Sequence, residues 1–335
     1  MISRRLETHG RFLAILPIFA FLILISAVFA PSSVSSGQLD TLLYFTAILG
    51  FAALGQHLVI AVGGLDLSVG PAITLSSLLF AMQAASHSIA RAIAVAVLAA
   101  ALVGLLNGLT VTLLRVTPLI ATLGGGAVAT GLAYTFNGQG APASISDSLS
   151  AFFATDLVGV PVSAVMCAAG LALVALAPRY TVAGRRLIEV GSNPTTARAL
   201  GVPVDAYKCL AYVGGGAFYG AAGILLAVGV TTPGLGVGDS YLLPSIAAVV
   251  IGGTPLGGGV GSVLATGMGA LFVVQLNQFT LALDGDTAVQ QIVQGAVIIA
   301  AMAIYSVRFD VGRVRRWLPQ PRWQFPETGG GSKQP

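Results

Sequence analysis

The residues of this chain that could do chemistry are few, and the missing ones narrow the function as much as those present. The three histidines, His9, His57 and His87, are scattered and offer no metal-ligand spacing. Cys167 and Cys209 fall in or beside apolar runs and read as small buried hydrophobes, since a disulfide framework or metal site needs more ligands at closer spacing. No G-x-x-x-x-G-K-[ST] phosphate loop occurs, so ATP hydrolysis is not expected of this chain. Asp66 is the one acid close to the interior of an apolar stretch, which is thin support for proton or sodium coupling.

Three segments stand out. The first, Gly63-Gly64-Leu65-Asp66-Leu67-Ser68-Val69-Gly70, breaks an apolar run with three glycines and a lone carboxylate. Glycine permits backbone that a continuous helix forbids, and Asp or Ser before a new apolar run reads as a helix cap. A capped helix start and a broken-helix element at a pathway or gate both fit, and they are compatible. The second runs from Gly252 to Ser262, with Gly253 and Gly258 among its glycines. It is not a dinucleotide fingerprint, because no strand precedes it and no acid follows at the right distance. Irregular backbone at membrane depth must be buried in protein or line a wet cavity, which favours a tight turn at an inner gate over a ligand cradle. The third is the basic loop from Tyr180 to Val204, containing the run from Gly184 to Val202. Asn193-Pro194 can open a short helix, with Asn193 as cap, and Gly201 stands where a helix stop is expected. Such a helix suits docking of a cytosolic partner; a membrane-surface helix held by Arg198 and its basic neighbours fits as well.

The elements that must carry these segments lie in a bilayer. Of 335 residues, 56% are hydrophobic and 8% charged, against roughly 25% charged in a soluble domain. Mean hydropathy is +0.90. No charge occurs between Lys208 and Asp239, nor from Ser240 to Leu283. The runs are continuously apolar rather than alternating, so helices are expected and not a barrel. Spans are predicted at 12–30, 41–62, 68–84, 91–113, 118–136, 159–177, 208–229, 241–252, 262–280 and 288–306. The 68–84 span is short and Ser-rich, and 241–252 is too short for a full crossing. With all ten as crossings, fifteen of the sixteen Lys and Arg residues share the side of the termini, and only Arg91 is opposite. The positive-inside rule then makes both termini cytoplasmic. The fold expected is therefore an all-α polytopic membrane protein of about ten transmembrane helices, some short or broken. Its permease domain covers 1–307 with an inner loop at about 178–207, and 308–335 is a basic tail expected to be disordered. The start, with Arg4 and Arg5 ahead of an apolar run ending Val28-Phe29-Ala30, has the look of a signal peptide, but the run is long and is expected to stay as the first span. The net charge of +4 is spread as membrane topology requires and implies no nucleic-acid partner.

Taken in order, the motifs resemble the permease subunits of ribose-type ATP-binding-cassette sugar importers. The matching residues are Gly63 to Gly70, Asn107-Gly108, Pro118 to Gly124, Gly191 to Val202 and Ala247 to Ser262, and the resemblance runs from about residue 10 to 307. Thr195-Thr196 replaces an acid-then-Ala pair, and Tyr241-Leu242-Leu243-Pro244 stands where many members have Glu-Leu-Asp-Ala. The resemblance implies a permease in the bacterial inner membrane, paired as a homodimer or with a related permease. It also implies two cytosolic ATPase subunits that use the ATP, a periplasmic sugar-binding protein, surrounding lipid, and no cofactor on this chain. Gly191, Asn193, Pro194, Ala197, Arg198 and Gly201 would form the coupling loop to the ATPase. Gly64, Asp66, Ser68, Gly70, Asn107, Gly252, Gly253 and Gly258 would line the pathway or gate, and Asn137, Asp147, Asp156 and Asp239 would lie near the outer mouth. The transport cycle implied is alternating access. The competing expectation is a self-contained ion-coupled carrier or channel, with Asp66 as its only candidate coupling residue.

Overall fold

The computed structural model describes residues 2–137, 145–155, 157, 159–259 and 261–306; the tail at 308–335 and Asp156 lie outside the described residues. Among the described residues the secondary structure is helical throughout, with no strand. In chain order the helices are α1 (Ile2–Phe29), α2 (Ser36–Ala61), α3 (Val69–Ser86), α4 (Ile89–Thr112), α5 (Pro118–Asn137), α6 (Asp147–Ala154) and α7 (Val162–Tyr180). They continue with α8 (Val182–Ser192), α9 (Pro194–Ala199), α10 (Val204–Val230), α11 (Leu242–Ile251), α12 (Val263–Ala282) and α13 (Thr287–Ser306). In lipid no water is present to satisfy exposed backbone, so each apolar run closes its own hydrogen bonds as a helix. Seven of them, α2, α3, α4, α5, α7, α10 and α12, are long and apolar enough to cross a membrane, and shorter apolar stretches lie at 15–29, 239–251 and 288–300. Each predicted span coincides with one of these ten within a few residues.

The core is organised around α10. It runs antiparallel to α4, and the two approach closely because their facing positions are small. A side chain on Gly104 would strike the backbone of Tyr212, one on Gly108 the backbone of Cys209, and one on Gly216 the backbone of Ala100. Gly104/Gly108 and Gly216/Gly220 each repeat at four-residue spacing, the small-xxx-small pattern that brings membrane helices into contact. Gly55 of α2 meets Tyr219 and the Gly215 carbonyl in the same way. The main apolar cluster joins α2, α3, α4 and α10, including Ile48, Leu54, Ile73, Phe80, Tyr219 and Leu225. A second joins α2, α11 and α12 through Leu49, Ile60, Val249 and Val273. By contrast α7 is peripheral, and Leu173 and Met166 point outward as lipid-facing residues would.

The chain departs from a simple up-and-down bundle after α10. From Thr231 it turns back until Gly238 packs on Gly70 and Ile73, with the Gly238 N–H donating to Thr74 Oγ1 at 3.0 Å. A single 3-10 turn, Asp239–Tyr241, then starts α11. α11 has ten residues and rises about 15 Å, half of a bilayer core. The turn that follows it passes the C-terminal end of α2, where the Gly259 N–H donates to the Ala61 carbonyl at 3.0 Å. The short 241–252 segment is thus a half-length helix, preceded by irregular chain that folds back onto α3.

Candidate functional site

The glycine break between α2 and α3 is a buried joint. The Ala61 helix end turns through Gly63, at φ 79°, which only glycine adopts freely. Asp66 is fully buried, and its Oδ1 accepts from the Ser68 N–H at 2.8 Å and the Ser68 hydroxyl at 2.6 Å. This Asx turn replaces the expected cap: Ser68 precedes α3, but its side chain makes no capping bond to the helix. Asn107 of α4 donates through Nδ2 to Ser68 Oγ at 2.8 Å and to Asp66 Oδ1 at 3.4 Å. Thr122 of α5 accepts from the Leu67 N–H at 3.0 Å. Gly125 leaves the room that the Asn107 side-chain amide oxygen, Oδ1, fills, and Gly64 leaves room for the Tyr212 hydroxyl. Three stretches that were separate motifs in the sequence therefore meet at one joint.

The second glycine segment lies against the first. Gly252 packs on the backbone of Ala265 and Thr266, which sets the tight α11–α12 turn, and Gly253 and Gly258 take φ of 83° and 87°. A side chain on Gly258 would sit 2.8 Å from the Gly63 nitrogen and 3.1 Å from the Gly191 carbonyl oxygen. His57 anchors this turn from α2: its Nδ1 lies 2.9 Å from Thr266 Oγ1 and 3.3 Å from Thr254 Oγ1. His57 gave no sequence signal, because a lone histidine in an apolar run looks the same whether or not it has partners.

The third segment forms α8, α9 and the turn that leads into α10. Asn193 Oδ1 accepts from the Thr196 N–H at 3.0 Å, and Pro194 takes the first helical position of α9. At the other end the Val202 N–H reaches the Ala197 carbonyl and the Gly201 N–H reaches the Arg198 carbonyl, both at 3.0 Å, with Gly201 at φ 78°. That double bond pattern around a left-handed glycine is a Schellman stop. The predicted cap and stop are both present; the sequence reading missed α8, the amphipathic helix that leads into them. Gly191 packs under the Ala61 carbonyl. Ala197 points inward with Val190, Val202 and Val204 against Val62 and Ala211, so it seats the segment instead of presenting it. Facing outward are Asn193, Pro194, Arg198 and Leu200, the last 74% exposed. Asp205 ties the segment to the α4–α5 turn through Arg115 at 2.9 Å and to Arg198 at 3.4 Å.

Of the outer-mouth residues, Asn137 ends α5 and is exposed, Asp147 begins α6, and Asp239 is exposed beside Gly70. Among the described residues no group of three or more His, Cys, Asp or Glu could hold a metal ion.

Residues 38–302 match the family model described as branched-chain amino acid transport system / permease component. The ribose import permease protein RbsC of Bacillus subtilis is 33% identical over 84% of this chain and 89% of its own length. The galactose/methyl galactoside import permease protein MglC of Escherichia coli is 30% identical over 83% of this chain and 89% of its own. The autoinducer 2 import system permease protein LsrD of Yersinia enterocolitica is 30% identical over 92% and 96%. No solved structure matches the chain.

Proposed function

The chain belongs to the branched-chain amino acid transport system / permease component family, and from that premise we propose that it is the membrane subunit of an ATP-driven, binding-protein-dependent importer of a sugar. The observation that carries the coupling half of this reading is the inner segment. It is capped at Asn193, stopped at Gly201, seated on α2 and α10, and offers Leu200 and Arg198 outward. An aliphatic side chain left exposed at the tip of a rigid inner loop suits a groove on a cytosolic ATPase. Because Gly191 and Gly258 pack together at the end of α2, a push on α9 reaches the α2–α3 joint and the α11–α12 turn through direct contact. That contact chain supports alternating access driven from outside the chain. ATP would be bound and hydrolysed by the partner, and this chain would need no cofactor. The basic residues gathered on the α8–α9 side support cytoplasmic termini and ten crossings. A second permease copy and a periplasmic binding protein complete the assembly.

The solute is assigned from the relatives. Those named for ribose, galactose and autoinducer 2 match across most of the chain, which favours a sugar or sugar-like solute. The family description favours a branched-chain amino acid as the second reading. Uptake into vesicles reconstituted with the ATPase and binding protein separates them: ribose or galactose is imported on ATP addition, and leucine does not compete. Import without any ATPase, driven by an ion gradient, would overturn the proposal in favour of a self-contained carrier. For that alternative Asp66 is a poor coupling residue, since it is enclosed by Ser68 and Asn107.

A further inference from the structure

The re-entrant segment between α10 and α11 places an acid where the bilayer would not tolerate one. Asp239 follows Gly238, whose N–H bonds Thr74 Oγ1, and an added side chain on Gly70 would lie 2.8 Å from Asp239 Oδ1. Asp239 therefore sits beside the first turns of α3, one helix turn beyond the buried α2–α3 joint and within the membrane-spanning part of the fold. It is nevertheless exposed, and among the described residues no cation pairs with it. Carboxylates at such depth face water-filled cavities or the bundle interior, because lipid offers them no hydrogen bonds.

The surface it faces is concave. Asp239 lines a cavity of about 160 Å³ with Thr74 and Pro71 of α3, Thr130 and Tyr134 of α5, and Gly236. Drug-sized sites run to roughly 300–1,000 Å³, so this one suits a single small ring. A carboxylate can accept from two neighbouring hydroxyls at once, and the Thr74 oxygen, which already accepts from Gly238, retains its own O–H to donate. Thr130 supplies a further hydroxyl, and Tyr134 combines a ring face with a polar tip. A conduit must also release what it holds, and one carboxylate with a few hydroxyls gives contacts that exchange readily with water.

We propose that the cleft formed by Asp239, Thr74, Thr130 and Tyr134 is a transit site for a polyhydroxylated small ring, with Asp239 accepting from its hydroxyls. This rests on the importer reading, and the test is arranged so that the two fail separately. The full chain is expressed with its cognate ATPase and binding protein, and ATP-driven uptake of radiolabelled ribose and galactose is measured. Asp239→Asn lowers uptake about tenfold, the factor expected for loss of one charged hydrogen-bond acceptor, and Asp239→Glu restores most of it. The melting temperature of Asp239→Asn stays within about 2 °C of wild type, which excludes misfolding as the cause. In parallel, Asp239→Cys and Thr130→Cys react with a charged, membrane-impermeant thiol reagent above the background of the two native cysteines. Wild-type chain that imports neither sugar on ATP overturns the importer reading and this inference with it. Wild-type import with an indifferent Asp239→Asn overturns the inference alone, and so do cysteines at 239 and 130 that react only with membrane-permeant reagents.

Discussion

Two places where the chain abandons helix inside the membrane use nearly the same residues and do opposite things with them. Between α2 and α3 the break contains Gly63, Gly64, Asp66 and Ser68; between α10 and α11 it contains Gly234, Gly236, Gly238, Asp239 and Ser240. Asp66 is fully buried with Ser68 and Asn107 around it, whereas Asp239 is exposed and, among the described residues, paired with no cation. The first break is a joint that fixes α2, α3 and α4 relative to one another. The second lines an open cleft against α3 and α5. What separates them is supplied by helices distant in sequence: α4 brings an amide to Asp66, and the α5 surface beside Asp239 offers hydroxyls across an open gap. Composition at a helix break thus locates irregular backbone, and only the neighbours decide whether its carboxylate is enclosed or left open.

The sharpest way to break this contrast is to remove each carboxylate in turn and measure stability. Asp66→Ala strips the acceptor from the Ser68 N–H and hydroxyl inside the protein, where no water replaces it. A loss of about 3 kcal/mol is expected, read as a lower melting temperature of the detergent-solubilised chain. Asp239→Ala is expected to change stability by no more than about 0.5 kcal/mol, because its carboxylate is exposed. Equal losses from the two substitutions would show that Asp239 is also a joint.

The breaks touch at Gly70, which offers the next test. A methyl group there would meet the Asp239 Cα at 2.9 Å and its nitrogen at 3.3 Å, atoms of backbone that cannot rotate away. Gly70→Ala should cost about 2 kcal/mol by overpacking and displace the re-entrant segment. Its uptake is expected to fall even at temperatures where the protein is fully folded. If uptake survives while stability drops, the 235–239 segment does not line the transit cleft proposed for it.

How much of this was readable in the sequence follows the same division. Signals carried by neighbours along the chain were legible: Asn193-Pro194 opens α9, Gly201 stops it, and the apolar runs coincide with the helices. The Asn107 side chain was placed at the gate by its motif alone, and its bond to Ser68 shows why the two belong together. What could not be read depends on distant contact. Ser68 looked like a cap, but the turn is closed by Asp66 two residues earlier. Ala197 looked like part of a docking surface, but helix geometry turns it toward Val190 and Val202. Asp239 was placed only near the outer mouth, because nothing near it in sequence reveals that the loop folds back onto Gly70.

A smaller effect separates the joint from the inner segment that would drive it. Gly201 has no atom within 4 Å of an added side chain, so Gly201→Ala meets no clash and only the strain of φ 78°. The cost is about 1 kcal/mol, confined to the end of α9. In the reconstituted complex this should loosen the α9 tip and lower transport per ATP hydrolysed, with the α2–α3 joint intact. Unchanged coupling would argue that α9 is a surface helix with no partner.

The smallest effect expected is at the ion pair that holds the segment to α4 and α5. Arg115 donates through both terminal nitrogens to Asp205, at 3.1 and 2.9 Å, but its side chain is 67% exposed. Exposed pairs contribute up to about 1 kcal/mol and weaken as salt screens them. Arg115→Ala should therefore lower stability by less than about 1 kcal/mol at low salt and by nearly nothing at 1 M salt. Asp205 keeps a second partner in Arg198 at 3.4 Å, so a charge remains beside it when Arg115 is lost. Gly201→Ala carries no such salt dependence, because its cost is backbone strain. Melting both variants across a salt series thus tells whether the inner segment is held by its packing on Val62 and Ala211 or by its charges, and the burial of Ala197 and Val190 favours packing.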